Sequence, residues 1–143
     1  VDSEEGEARL SDLFLRLARR TRVTQMQRLG PLGLTPAQAR ALSVIGHCEK
    51  PPRMAELATR LGVVPRAVTP LVDALEEAGC VRRRIDECNR RSTLLELTEE
   101  GRTMCLRIRA ERTAVVDELF SVLTPAERGT LIALLDKVGG EPR

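Results

Sequence analysis

The stretch from residue 53 to residue 97 constrains the fold most, because its hydrophobic period changes partway along. "RMAELATRLG" (53–62) is a short helical run that breaks at Gly62, and "VPRAVTPLVDALEEAG" (64–79) is a second that stops at Gly79. In the second run Val68, Leu71, Val72 and Leu75 keep the i, i+3, i+4, i+7 spacing of one buried helix face. Leu57 and Leu61 supply the facing surface, and Ala58 is small where the helices would cross. Gly62 suits the left-handed turn between them. After Gly79 the period falls to two. "CVRRRI" (80–85) reads as extended, and "STLLEL" (92–97) sets Thr93, Leu95 and Leu97 against Ser92, Leu94 and Glu96. The segment between, 86–91, is longer than a two-residue turn, so its tip is expected to project freely. A tight helix pair followed at once by a hairpin predicts a winged helix-turn-helix.

The flanks read as helices. Residues 8–29 carry Leu10, Leu13, Phe14, Leu17 and Ala18 on one face and Arg16, Arg19 and Arg20 on the other, until "GPLG" (30–33) stops the run. "LTPAQ" opens a second helix, with Thr35 as cap, Pro36 in the first helical position and Gln38 in the third. A long helix over roughly 98–122 aligns Met104, Ile108, Val115, Leu119 and Leu123, and "LTPAE" opens a last one running to about Val138. The first and last helices hold more apolar surface than a lone terminal helix can hide.

With 42% hydrophobic and 31% charged residues the chain supports a packed core, on the scale of one domain. The net charge is only +2, so nucleic-acid binding has to come from local clustering. Lys50 and Lys137 are the only lysines, and arginine is the better bidentate partner for phosphate and guanine. With no Trp or Tyr, and Phe14 and Phe120 as the only aromatics, stacking platforms for single strands are excluded. One histidine, His47, and no Ser-His-Asp set or phosphate loop leave no catalytic constellation, so the chain is expected not to be an enzyme. Cys48, Cys80, Cys88 and Cys105 have no CxxC spacing, so neither a metal site nor a cofactor is expected. No apolar run reaches the roughly 20 residues that span a bilayer and no signal peptide is visible, so a cytoplasmic protein without membrane contact is expected.

The outer face of the second short helix is Pro65, Arg66, Thr69, Pro70 and Asp73. Arg66 can reach a guanine edge or a phosphate, and Thr69 a base edge or a thymine methyl. The same residues would also serve as an ordinary solvated face. Pro70 lies past the first turn, where it removes a backbone donor and is expected to bend the helix. The run "RRRIDECNRR" (82–91) alone admits three readings: a solvated loop, a cysteine site or a basic finger.

Its place after Gly79 favours the last. "MAELATRLGV" followed by "AVTPLVDALEEAGCVRRRIDECNRRSTLLELTEEG" resembles the MarR family of bacterial transcriptional regulators. The wing pattern of that family falls on Gly79, Val81 and Arg83, then Asp86, Asn89, Arg90 and Arg91, then Leu97, Thr98 and Gly101. "LGLTPAQARALSVI" is similar to its second helix, and the likeness covers about residues 8–138. The resemblance implies a mainly α fold with a small β-hairpin wing, in which residues 1–34 and 99–143 form a helical dimerisation region. Residues 35–98 would form the winged helix-turn-helix reading head. It implies a homodimer on a pseudo-palindromic double-stranded DNA site, acting as a repressor. Arg91 would enter the minor groove, and Arg83, Arg84 and Arg90 would contact phosphates. Asn89 stands where the family has a carboxylate, and its amide is expected to accept from Arg91. The resemblance further implies release of DNA by a small lipophilic or aromatic-acid effector, or by oxidation. Arg16, Arg20 and Arg40 are candidates to meet an effector carboxylate.

Cys88 is the thiol expected at the surface and the candidate redox residue, with arginines favouring its thiolate and Glu87 opposing it. It is equally an inert surface cysteine, and Cys48, Cys80 and Cys105 read as core fillers. A winged helix that binds a protein instead of DNA is the alternative function.

Overall fold

Each predicted element forms, in the predicted order. The computed structural model describes residues 2–140. Helix α1 spans Asp2–Leu29, α2 Pro36–His47, α3 Met54–Leu61 and α4 Pro65–Glu77. Strands β1 (Val81–Asp86) and β2 (Asn89–Leu97) form an antiparallel hairpin. Helices α5 (Glu99–Phe120) and α6 (Pro125–Gly139) follow. Among the described residues no helix is long and apolar enough to cross a membrane.

Helix α1 begins earlier than its apolar pattern. Glu4, Glu5 and Glu7 lie in its first turns, where carboxylates suit the positive end of the helix dipole, so polar residues extend it. A short 3-10 turn, Gly30–Leu32, then leads toward α2. Thr35 caps α2 through a reciprocal pair. The Gln38 N–H donates to Thr35 Oγ1 at 3.2 Å, and the Thr35 N–H donates to Gln38 Oε1 at 3.1 Å. Thr124 and Glu127 repeat the device at α6. The backbone and hydroxyl of Thr124 hold the Glu127 carboxyl below its ordinary range, so this box is intact at neutral pH and is lost only as pH falls through that lowered value. Thr35→Ala is expected to lower unfolding stability by about 1 kcal/mol. A denaturant midpoint equal to that of the parent would show that the cap contributes nothing.

The core lies where the helix pair meets α2, α5 and the hairpin. Leu42, Leu57, Val68, Val72, Leu75, Leu95 and Ile108 are fully buried. Gly62 ends α3 at φ 68°, and its N–H reaches back to the carbonyls of Ala58 and Thr59. Helix α4 runs unbroken through Pro70. The proline removes one backbone donor on the exposed side without ending the helix.

The outer helices contrast with this centre. On α1, Leu10, Leu13, Phe14 and Leu17 are exposed, Phe14 to 66%. Helix α6 has no buried residue, and its Ile132, Leu134, Leu135 and Val138 face outward.

Candidate nucleic-acid interface

Pro65, Arg66, Thr69 and Pro70 are all exposed on α4, opposite its buried face of Val68, Val72 and Leu75. The helical period that hides the apolar residues therefore presents these four side chains to solvent.

The hairpin is built differently from its expectation. Register runs from Val81↔Leu97 to Ile85↔Thr93, then slips to Asp86↔Asn89. Only Glu87 and Cys88 form the turn. The predicted long projecting loop is thus a tight turn, and the extra residues Arg90, Arg91 and Ser92 form an irregularity in β2. Alternating hydrophobicity could not reveal this, because the strand continues through a polar segment. Arg90 and Arg91 are exposed, and among the described residues neither makes an ion pair. Cys88 sits exposed in the turn, whereas Cys80 is buried and Cys48 and Cys105 are half-buried. Burial raises the Cys80 and Cys105 thiols above their usual range, so both stay protonated and unreactive at neutral pH.

Strand parity separates the neighbouring arginines. Arg83 shares the inward side of β1 with buried Val81 and faces α4, where its guanidinium meets Asp73 and lies 2.7 Å from Glu76. Arg82 and Arg84 point the other way and share Glu96, at 3.2 and 4.0 Å. Arg83, Arg84, Ile85, Glu87 and Arg90 line an open groove along the wing. Arg83 thus ties the wing to α4, a partnership that the linear run of arginines concealed.

Asn89 also departs from expectation. Its Oδ1 accepts from the backbone N–H of Arg91 at 3.3 Å, and not from the guanidinium. The amide shapes the backbone and leaves the Arg91 side chain free. The carboxylate that does take an arginine is Asp86, whose partner is Arg53 at the start of α3, at 2.9 Å. Arg53 first, and then the Cys88 N–H, hold the Asp86 carboxyl below its ordinary range. Arg53 was not legible as a wing residue, because it lies far from the wing in sequence.

At the base of the wing, Thr98 Oγ1 accepts from the Gly101 N–H at 3.0 Å and donates to the Gly79 carbonyl. The Thr98 N–H donates to the Cys80 carbonyl at 3.1 Å. Helix α5 is therefore fastened to the hairpin at its first turn. At its middle, Arg28, Leu29, Arg40, Glu111, Arg112 and Val115 line a cavity of about 250 Å³ between α1, α2 and α5. Arg28 is held there by Glu118 and Glu111, at 3.1 and 3.3 Å, and these bonds raise its pKa. Of the effector candidates, Arg40 lines this cavity, and Arg16 and Arg20 are not among its lining residues.

The sequence pattern that defines the MarR family matches residues 32–92, from the turn before α2 into the irregular part of the wing. The HTH-type transcriptional regulator YkoM of Bacillus subtilis is 30% identical over 107 residues, which cover 75% of this chain and 69% of that protein. The HTH-type transcriptional repressor Mb2911 of Mycobacterium bovis is 30% identical over 115 residues, covering 79% of this chain and 81% of that protein. A mutant MarR from E. coli complexed with operator DNA is similar in structure, with a TM-score of 0.75 at 30% identity, covering 91% of this chain and 93% of that one. An exposed outer face on α4, a hairpin tied to that helix and these likenesses lead to one conclusion: the chain belongs to the MarR family of winged helix-turn-helix transcriptional regulators.

Proposed function

We propose that the chain acts in the cytoplasm as a homodimeric repressor, a regulator and not a catalyst, that binds a pseudo-palindromic duplex site. The observation that carries this reading is the pairing of surfaces. Arg66 and Thr69 stand exposed on α4, and a hairpin bearing the uncompensated Arg90 and Arg91 is tied to that helix by Arg83. In this reading the N-terminal half of α4 enters a major groove and Arg91 enters the adjoining minor groove, while Arg84 and Arg90 lie along phosphates. The exposed apolar faces of α1 and α6 support assembly of two copies. Residues 1–34 and 99–143 would carry that assembly, and 35–98 the reading. The cavity between α1, α2 and α5 supports release by a small lipophilic acid. Its apolar wall is Leu29 and Val115, and Arg40 and Arg112 line it with no ion pair among the described residues. A ligand that favours another spacing of the two reading heads shifts the population away from DNA.

The test is the salt dependence of binding to a duplex selected from a random library. Arg66, Arg84 and Arg90 from two copies supply about six phosphate contacts, so affinity is expected to fall about a thousandfold between about 50 and 200 mM salt. A flat response would sink the DNA reading and favour a protein partner. Half-site symmetry in the selected sequences would report the dimer.

A further inference from the structure

Helices α2, α5 and α6 each begin on a threonine whose hydroxyl accepts a backbone N–H from the first turn. Helix α3 does not. Its cap position is Arg53, at φ −81° and ψ 161°, the extended geometry of a capping residue, and its side chain makes no cap bond. A guanidinium has no acceptor, so it cannot fill this role. Glu56 stands in the third helical position, where a Ser or Thr cap would complete a reciprocal box. The helix start thus forgoes a stabilising device for which its backbone is already shaped.

The Arg53 side chain instead crosses to the wing. Its Nη2 donates to Asp86 Oδ2 at 2.9 Å, and Asp86 Oδ1 accepts from the Cys88 N–H at 3.0 Å. The carboxylate is held from α3 on one side and from the turn on the other. Asp86 is buried, so this pair is not an ordinary surface ion pair, and removing the arginine would leave a carboxylate with reduced compensation. The base of the wing is secured separately. Arg53 bridges Leu94 through the backbone, and the Leu95 N–H donates to the Pro52 carbonyl at 2.8 Å. The end that carries Arg90 and Arg91 lacks such support, because the register slips between Ile85 and Asp86 and leaves residues 90–92 without partners on β1.

We propose that Arg53 is a positioning residue for DNA binding: it gives up the α3 cap to clamp the wing tip through Asp86, and so sets Arg90 and Arg91 relative to α4. This rests on the reading that the wing meets DNA. Arg53 need not touch the nucleic acid for the clamp to work.

The double variant Arg53→Thr/Asp86→Asn separates folding from positioning. It supplies the missing cap beside Glu56 and leaves no orphaned carboxylate. Its unfolding midpoint is expected to equal or exceed that of the parent. Its affinity for the duplex selected by the parent is expected to fall roughly tenfold, the factor of one lost specific contact. Arg53→Lys, which keeps one charged donor, is expected to restore part of that loss. Amide hydrogen exchange at residues 89–92, measured without DNA, is expected to quicken in the double variant. Stability and affinity falling together would assign Arg53 a merely structural role and overturn the proposal, as would parental affinity in the double variant. If the parent binds no duplex, the DNA reading fails by itself and exchange decides the clamp: quicker exchange supports it and unchanged exchange overturns it.

Discussion

Arg91→Ala is expected to weaken binding to the selected duplex by about 1–3 kcal/mol, roughly a tenfold to hundredfold rise in Kd at physiological salt. The stability of the protein is expected to change by less than about 0.5 kcal/mol, because the side chain is exposed and holds no partner. The loss is therefore one of recognition. If Arg91 lies in a narrow A·T-rich minor groove, where the negative potential is enhanced, its removal also relaxes the preference for such flanking sequence. Arg84→Ala provides the contrast. As a phosphate contact it would weaken all duplexes alike and lower the salt slope by about one. Competition between specific and random duplexes distinguishes the two. Parental affinity in Arg91→Ala would remove Arg91 from the interface and leave the wing a different task.

Gly101→Ala is expected to destabilise the fold by about 2 kcal/mol or more, although alanine ordinarily favours a helix by up to about 1 kcal/mol over glycine. A Cβ here would lie 2.0 Å from the Cys80 carbonyl oxygen and 3.0 Å from its carbon. That carbonyl cannot withdraw freely, because it accepts the Thr98 N–H. The alternatives are to break this bond or to lift the first turn of α5 away from the wing. Urea denaturation at fixed protein concentration is the measurement. A lower midpoint with an unchanged m-value is the expected result. An equal or higher midpoint would show that α5 can slide over the base of the hairpin at little cost.

Much of the fold was legible because its punctuation is local. Thr35 with Gln38 and Thr124 with Glu127 mark helix starts through bonds that span three residues, and Gly62 marks a stop through its own φ. The buried faces followed from spacing for the same reason. The wing was less legible. A run of arginines states charge, but it does not say which of them strand parity turns toward Asp73 and Glu76, or where the register slips. The extent of β2 was missed because Asn89, Arg90 and Arg91 do not alternate in hydrophobicity. Arg53 was missed because its partner Asp86 lies 33 residues away, and no periodicity links a helix start to a hairpin tip. The cavity residues Arg28 and Arg112 come from different helices and meet only in the folded chain.

The fastening of α5 to the wing at Thr98 and Gly101 has a mechanical consequence. The 22 residues of this helix form a rod about 33 Å long, bolted at one end to the hairpin and bordering the arginine-lined cavity at Glu111 and Val115. With its first turn unable to slip, the rod cannot absorb a push at the cavity by sliding. It has to pivot, and a swing of about 5° over that length carries one end about 3 Å relative to the other. That is comparable to the reach of a hydrogen bond. A small molecule wedged beside the shaft therefore has leverage over the arginines at its far end without coming near them.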